Sequence, residues 1–479
     1  MSGQPTRRPG DRIIRRRLQA TQVIELPPPP ERPSVPNVRN HAKMFALGLL
    51  ALVVGGGALL SLPWFSRTGE WTPFIDALFT AVSATCVTGL IVVDTRDHWN
   101  FGGQFLILAL IQVGGLGFMV GASLLLRALQ RGVGSLRDTL LLQDGAPTLS
   151  LREAAELSGR IVRFTLVMEA IGAVVLATRF AFDRPLHIAI WQGIFHSIAA
   201  FCNAGFDLQG GFRSISDYRE SYVVNVMLMI LIQAGSLSYL FFADIALRRR
   251  FKRLLLETKI ILIVNVLMLV IGAGVFLGAE WNASLVGVPL IDRPLVALFQ
   301  SVSARTAGFA SVSFHQATSI TLFAWVAIMF VGGASGSTAG GVKLTTVGVV
   351  GLAVFSTVRG QMETQVFGRR IPTALVFRSM AVIAIMFMAH FIATLGVVIS
   401  EHLTGGDVPF IDIMFETMSA IATVGVTTGI TPHLSGAAKL VLCATMFFGR
   451  LGPLTAVYAL QLRQHVVRYK FPEAPIRIG

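Results

Sequence analysis

Apolar runs recur along this chain and are separated by short polar or basic connections. Eight such runs occur, at 44–62, 105–126, 161–177, 223–246, 260–277, 321–355, 375–399 and 437–459. They approach the roughly 20 apolar residues that a helix needs to cross the hydrocarbon core of a bilayer. The pattern therefore predicts an all-α integral membrane protein with eight transmembrane spans.

A shorter apolar segment lies between the two runs of each successive pair and occurs in four copies. Each copy starts at a phenylalanine, passes through small residues and ends at a glycine; the starts are Phe79, Phe195, Phe299 and Phe415. Such a near-regular period indicates internal repeats. Segments of about 10 to 12 residues are too short to span, so they predict re-entrant half-helices shielded by protein or water.

Four repeats of one orientation predict a pore. Each repeat crosses the membrane twice, so all four are related by a pseudo-fourfold axis along the membrane normal. The predicted units are pore repeats at 44–130, 155–250, 256–358 and 372–462, a disordered basic tail at 1–43 and a C-terminal tail at 463–479.

Each half-helix leads into a four-residue segment that closes on glycine. Glycine permits backbone angles that other residues resist, so successive carbonyls can turn toward one axis. A ring of carbonyls replaces the hydration shell of a weakly hydrated cation, and the negative ends of the half-helices point at it. One such turn alone would be an ordinary helix break, but four copies favour an ion filter. The four filter segments are Cys86, Val87, Thr88, Gly89; Cys202, Asn203, Ala204, Gly205; Arg305, Thr306, Ala307, Gly308; and Ala422, Thr423, Val424, Gly425.

Composition and charge agree with a bilayer location. Hydrophobic residues make up 53% of the chain and charged residues only 14%, against about 25% in globular proteins. The 40 lysines and arginines cluster in alternate connections, which predicts that these and both termini are cytoplasmic. The same loops explain most of the net charge of +14, so nucleic acid is not a predicted partner. Cys86, Cys202 and Cys443 are too few for a disulfide framework and have no metal-ligand spacing; Cys86 and Cys202, at equivalent repeat positions, are predicted to be small buried side chains.

The sixth run contains a glycine-rich segment at 332–343 that will break a helix at mid-membrane. A phosphate loop is excluded because Val342 precedes Lys343 and no strand precedes the segment. Two interpretations stay open: close helix packing through small residues, or a flexible loop near the filter that obstructs permeation. On the second, the gating residues are Gly332, Gly333, Ser335, Gly336, Ser337, Thr338, Gly340, Gly341 and Lys343.

Arg450 lies in the last apolar run, about 20 Å along a helix that starts near Ala437, too deep to reach the membrane surface easily. An arginine inside a membrane is a functional hypothesis by default. Facing the pore, it would repel a cation and donate hydrogen bonds to carbonyls of the 332–343 loop, holding it shut. The alternative is a structural pair with Glu169 or another acid.

Other ionisable residues carry weaker predictions. Arg305 is expected to pair with an acid behind the filter, the candidates being Asp76, Asp412 and Glu416. Glu169 and His390 are expected to be buried polar groups with satisfied hydrogen bonds. The carboxylates that follow the filter segments on the outer side, expected to attract cations, are Asp94, Asp97 and Asp207.

At these residues the chain resembles the Trk/Ktr/HKT superfamily of potassium transporters, and most closely the bacterial Ktr-type membrane subunit. The resemblance covers about residues 44 to 460 and rests on 87–90, 203–206, 305–309, 423–425 and the two motifs above. It implies potassium uptake through a four-segment filter, gated by the 332–343 loop. It also implies homodimers in the bacterial inner membrane and a cytoplasmic ring of nucleotide-binding regulatory subunits. Serine in place of the first filter glycine accompanies sodium permeability in that family, so Gly89 favours potassium.

No arrangement of nucleophile, base and orienting group predicts an enzyme, and no cofactor is predicted; potassium is the expected substrate. The predicted activity is channel-like uptake driven by the electrochemical gradient. The alternative is a secondary transporter that couples potassium to sodium or protons, with Glu169 or Asp244 as coupling groups.

Overall fold

The computed structural model describes residues 38–131, 151–361 and 363–462, with side chains at 46–121, 155–361 and 363–452. Most of the predicted N-terminal tail, at 1–37, and the predicted C-terminal tail, at 463–479, lie outside the described residues. Within the described residues the chain is mostly helical.

The helices are numbered here in chain order. They are α1 (Val38–Leu60), α2 (Phe74–Thr85), α3 (Thr95–His98), α4 (Phe101–Arg131), α5 (Leu151–Phe180), α6 (Leu186–Phe201), α7 (Tyr222–Ser236), α8 (Tyr239–Arg248), α9 (Leu256–Glu280), α10 (Arg293–Ser303), α11 (Ser319–Phe330), α12 (Leu344–Val358), α13 (Thr373–Thr404), α14 (Phe410–Ile421) and α15 (Gly436–Leu462). Short 3₁₀ turns lie at Pro63–Phe65, Ser216–Tyr218, Phe251–Arg253, Phe314–Gln316 and Thr431–His433. A small antiparallel hairpin joins β1 (Gln365–Val366) to β2 (Arg369–Arg370).

Several helices suit a membrane. Within the described residues, four segments are long and apolar enough to cross one: Phe101–Gly121, Ala155–Phe180, Leu256–Glu280 and Thr373–Thr404. The bent pair α7 and α8 would add a fifth. Large apolar side chains on these helices are exposed, for example Val270 at 65% and Phe387 at 62%, as expected for contact with lipid. The count of eight spans stays a prediction.

The fourth apolar run, 223–246, is not the single span that its composition predicts. Helix α7 ends at Ser236, α8 begins at Tyr239, and their axes differ by 94°. Ser238 has a φ of 69°, which a helix does not accommodate. The carbonyl oxygen of Ser236 accepts a hydrogen bond from the Ala334 amide at 2.8 Å, so the 332–343 loop takes a carbonyl that a continuous helix would use internally.

The half-helices end where the repeats predict but begin earlier. Helices α2, α6, α10 and α14 end at the residue before the first filter residue or one earlier, and contain 12, 16, 11 and 12 residues. The prediction that they start at the repeated phenylalanines is wrong, because proline sets the start instead. Pro73, Pro185 and Pro409 are N-cap residues, and Pro294 lies in the first turn of α10.

The repeated phenylalanines lie in the middle of the half-helices and are completely buried. Phe195 and Phe299 belong to a cluster around α6, α7 and α10, and to it α4 contributes Ile107 and Ile111. Phe79 and Phe415 belong to the two neighbouring clusters. The half-helices therefore form the interior of the protein, with the longer helices outside them.

Candidate functional site

All four filter segments follow the same backbone path. The second residue has a positive φ in every segment: Val87 50°, Asn203 58°, Thr306 69° and Thr423 49°. The closing glycine also has a positive φ in every segment: Gly89 95°, Gly205 69°, Gly308 82° and Gly425 93°. Positive φ is a genuine outlier for a β-branched residue, so the surrounding structure imposes this conformation.

Hydrogen bonds to the half-helices hold this path in place. In the first segment, the Thr88 amide donates to the Ser83 carbonyl at 2.8 Å and the Gly89 amide donates to the Ser83 hydroxyl at 3.0 Å. The Val424 and Gly425 amides bind Ser419 in the same way, at 2.8 and 3.0 Å. The third-residue amide bonds back to its half-helix in the other two segments as well. The first, second and fourth half-helices therefore end in a Schellman-type turn whose left-handed residue belongs to the filter segment, whereas in the third the Ala307 amide bonds one residue closer, to the Ser303 carbonyl.

The four closing glycines meet in a cyclic arrangement. A Cβ built on Gly89 would lie 2.5 Å from the Ala204 carbonyl oxygen, one on Gly205 2.9 Å from that of Ala307, and one on Gly308 2.7 Å from that of Val424. One on Gly425 would lie closer still to the Thr88 carbonyl oxygen, which returns the contact to the first segment. Any side chain at these positions would collide with the next segment.

A second set of glycines was missed by the sequence analysis. A Cβ on Gly114, Gly235 or Gly449 would lie within 3.0 Å of the last carbonyl of a half-helix, at Thr85, Phe201 or Ile421 respectively. Helices α4, α7 and α15 therefore pack directly on the ends of α2, α6 and α14. The available signal was the repeated Gln-x-Gly at 112–114 and 233–235.

The glycine-rich segment is an ordered loop between α11 and α12. Val331 and Val342 form a parallel bridge, and the Gly332 amide donates to the Val342 carbonyl at 2.9 Å. The residues from 331 to 342 are buried except Ser335, which is half-buried. The predicted break of the sixth apolar run is confirmed.

This loop touches two filter segments at their half-helix ends. The Thr338 hydroxyl lies 3.1 Å from Asn203 Oδ1 and 3.2 Å from the Phe201 carbonyl oxygen. A Cβ on Gly340 would lie 2.7 Å from the Ala422 carbonyl oxygen. The loop therefore packs directly against the second and fourth filter segments.

Arg450 donates to the loop, as predicted. Its Nη1 donates to the Thr338 carbonyl and its Nη2 to the Gly114 carbonyl at 3.3 Å, and the side chain is only 1% exposed. The alternative pair with Glu169 is not formed, because Glu169 accepts from Gln112 Nε2 at 3.1 Å.

Among the described residues Arg305 forms no ion pair with an acid, so that prediction is wrong. Its Nη1 donates to Asn265 Oδ1 and its Nη2 to the Gly332 carbonyl at 3.3 Å. Of the predicted acids, Asp76 binds Lys439 Nζ at 2.9 Å and Glu416 accepts from Thr427, Thr428 and Thr431. The guanidinium instead donates hydrogen bonds to a neutral side-chain amide and to a loop carbonyl.

The carboxylates predicted to lie on the outer side accept hydrogen bonds from nearby loop amides. Asp94 caps α3 and accepts from the Phe212 amide at 2.8 Å, while Asp97 accepts from the Gly211 amide at 2.9 Å. Asp207 is half-buried and accepts from the Gln209 amide at 2.8 Å. Removal from water, with smaller effects from the Asp94 and Asp97 charges, raises the pKa of Asp207 to about 7.

Three further predictions concern buried polar groups. The three cysteines are buried and unpaired, as expected. Among the described residues, no group of three His, Cys, Asp or Glu side chains is arranged to hold a metal. Asp244 binds Arg248 at 2.7 Å and accepts from the Leu255 amide. His390 is buried, but its Nδ1 has no hydrogen-bond partner within the described residues, so the expectation that its hydrogen bonds are satisfied is wrong.

Two buried glutamates were also missed. Glu280 at the end of α9 accepts from the amide and hydroxyl of Thr318, the N-cap of α11. Glu401 near the end of α13 accepts from the Ser435 amide just before α15 at 2.9 Å. Each one ties the first long helix of its repeat to the start of a later helix.

Comparisons with known proteins agree with this architecture. The TrkH family model, described as cation transport protein, matches residues 59–465. The potassium/sodium uptake protein NtpJ of Enterococcus hirae is 37% identical over 445 residues, covering 92% of this chain and 97% of that protein. The Ktr system potassium uptake protein B of Bacillus subtilis is 35% identical over 440 residues, covering 91% and 96%.

A solved structure shares the fold. The potassium transporter TrkH from Vibrio parahaemolyticus aligns with a TM-score of 0.68 at 20% identity, covering 90% of this chain and 86% of that one. The family model and the two relatives each extend over most of the sequence. The chain therefore belongs to the TrkH family of cation transport proteins.

Proposed function

We propose that this protein takes up potassium across a cell membrane through one pore lined by the four filter segments. The observation that carries the proposal is the cyclic contact of Gly89, Gly205, Gly308 and Gly425. The relatives support potassium as a transported ion, because the proteins 37% and 35% identical to this chain are named a potassium/sodium uptake protein and a potassium uptake protein, respectively.

The chemistry is substitution of water by carbonyl oxygens. The amide of the third residue of each filter segment donates to its half-helix. The carbonyl oxygen of the same residue lies beside the closing glycine of a neighbouring segment. These oxygens would replace the hydration shell of potassium, and the C-terminal ends of α2, α6, α10 and α14 would add partial negative charge. The residues of the four filter segments would act through their backbone carbonyls, so this proposal requires no cofactor.

The repeats would surround this pore as four pseudo-symmetric units with eight spans. Support comes from what the units share: a proline near the start of each half-helix, a buried phenylalanine within it and a left-handed second filter residue. The repeat bounds remain those predicted from the sequence, 44–130, 155–250, 256–358 and 372–462. The basic connections favour a cytoplasmic location for both termini.

The 332–343 loop and Arg450 would form a gate. Arg450, in α15, joins the loop to α4 by donating to the Thr338 carbonyl and to the Gly114 carbonyl. A guanidinium at this depth raises the barrier to a cation, since like charges repel strongly away from water. Conduction would require the loop and the arginine to move together.

Partners are proposed from the resemblance. A homodimer in the bacterial inner membrane and a cytoplasmic nucleotide-binding regulatory ring would complete the transporter. The basic connections, such as 248–253 between α8 and α9, offer a surface on which such a ring would dock.

Sodium is the second candidate substrate or coupling ion. The Enterococcus hirae relative is named a potassium/sodium uptake protein, which favours this alternative. Glu169 and Asp244 remain the candidate coupling groups, although both already have hydrogen-bond or ion-pair partners.

Potassium and sodium fluxes into liposomes holding the purified chain would test the filter. We expect potassium-selective flux in the wild type and a loss of selectivity in Gly89→Ser, because the new side chain would meet the Ala204 carbonyl. Gly69→Ser is the matched control, since Gly69 also has a positive φ but nothing within 4 Å of its Cβ position. Equal selectivity in wild type and Gly89→Ser would contradict the filter assignment.

The same liposomes separate channel-like from coupled uptake. Under voltage clamp, a sodium or pH jump shifts the reversal potential of a coupled transporter, whereas simple potassium permeation leaves it unchanged. A shift that disappears in Glu169→Gln or Asp244→Asn would establish the alternative mechanism.

A further inference from the structure

The ring of Phe118 in α4 lies beside two cationic side chains from different parts of the chain. The Arg450 guanidinium carbon is 4.2 Å from the ring centroid and Lys343 Nζ is 5.8 Å from it. Phe118 is only 3% exposed and Arg450 only 1%, so little water separates these groups.

Both cations bind neighbouring carbonyls of one loop. Arg450 donates to the Thr338 carbonyl and Lys343 donates to the Ala339 carbonyl. Among the described side chains, neither cation makes an ion pair with a carboxylate. Two positive charges converging on adjacent carbonyls repel each other, and the negative face of an aromatic ring offsets that repulsion without adding an anion.

Helix α4 contributes a second contact on the same face. Phe118 follows Gly114 by one helical turn, and the Gly114 carbonyl accepts from Arg450 Nη2 at 3.3 Å. Gly114 in turn packs against the carbonyl of Thr85 at the end of α2. The arginine is thus held on three sides, by the loop, by the α4 backbone and by the ring.

We propose that Phe118 is a positioning residue of the gate, whose aromatic face holds Arg450 and Lys343 beneath the filter and so favours the non-conducting arrangement. This inference rests on the proposed gating function. An anionic side chain would neutralise the barrier and attract the permeating ion, whereas an aromatic ring keeps the positive charge in place and leaves it effective against cations.

Fluorinated phenylalanines at position 118 test the aromatic face separately from its shape. Fluorine withdraws electron density from the ring face while nearly preserving ring size, so a cation–π contact weakens stepwise. We expect potassium flux of the full-length protein in liposomes to rise with each added fluorine. Phe118→Leu is expected to raise it by about tenfold, and Phe118→Tyr to leave it near the wild-type level.

The matched control is the same fluorinated series at Phe79, which is completely buried in α2 and lies outside every cation–π contact of the described residues. Potassium flux of Arg450→Gln tests the gate itself, because removing the positive charge should raise the flux. Raised flux in Arg450→Gln with no change along the Phe118 series would overturn this inference and leave the proposed function intact. No potassium flux in any variant would overturn the proposed function and this inference with it.

Discussion

The second residue of each filter segment is under conformational strain. Val87, Thr306 and Thr423 are β-branched and yet have φ between 49° and 69°. A conformation of this kind costs of order 1–3 kcal/mol per residue and persists only where the surroundings fix it. Here the hydrogen bonds from the following amides to the half-helices fix it, and the filter carbonyls thereby keep a fixed direction.

At the same scale, Asp207 predicts a pH dependence. Its pKa of about 7 means that the carboxyl is mostly neutral at pH 6 and negative at pH 8. A negative charge on the outer side attracts cations, so potassium uptake should rise about twofold between external pH 6 and 8. Uptake measured at clamped internal pH would show it, and Asp207→Asn should flatten the response.

The control for this prediction is Asp217→Asn. Asp217 is an exposed outer carboxylate that pairs with Arg213 at 3.4 Å. This variant should keep the wild-type pH response. A response of the same size in Asp207→Asn would mean that another group is responsible.

At the scale of elements, glycines decide how closely helices approach the filter. Gly114 in α4 touches the Thr85 carbonyl, whereas Gly117 in the same helix has nothing within 4 Å of its Cβ position. Gly114→Ala should therefore destabilise the protein by about 1–3 kcal/mol through overpacking. Gly117→Ala should be neutral or slightly stabilising, because alanine favours helix more than glycine does.

Thermal unfolding of the two variants in detergent would measure the difference. A lower midpoint for Gly114→Ala beside an unchanged or higher midpoint for Gly117→Ala is the expected result. Equal midpoints would show that α4 can move away from α2 without cost.

Apolar runs and repeated glycines predicted a mostly helical chain and four left-handed glycine turns, because both follow from local sequence. The break after Ser236 was not predictable, since it depends on the Ala334 amide from a distant loop. The partner of Arg305 was likewise missed: sequence suggests that a buried cation needs an acid, but the fold brings Asn265 and a carbonyl instead. Half-helix starts were misplaced because the repeated phenylalanine, rather than the proline before it, was taken as the marker.

At the scale of the whole molecule, an ion pair joins the first repeat to the last. Asp76 in α2 and Lys439 in α15 lie 2.9 Å apart and are 21% and 13% exposed. Asp76→Asn and Lys439→Met should each lower stability, and the double mutant should lose less than the sum. We expect a coupling of about 1 kcal/mol from this double-mutant cycle.

Arg179 and Asp183 provide the comparison pair. They are 2.6 Å apart near the end of α5, are 30% and 43% exposed, and join no two repeats. Their coupling should be close to zero, as is usual for solvent-exposed ion pairs. Similar coupling in both pairs would remove any special role for the contact between the first and last repeats.

The contact of Gly425 with Thr88 has a consequence for biosynthesis. The ring of glycines closes only when the fourth segment has left the ribosome, and the 332–343 loop is made before that segment. If the ring conducts as proposed, a growing chain never holds a complete filter without its obstruction already present. Arg450 follows 25 residues after Gly425, so the arginine proposed to hold the loop in place is synthesised soon after the fourth filter segment. The order of the repeats would thereby protect the ion gradient of a cell while the protein is being inserted.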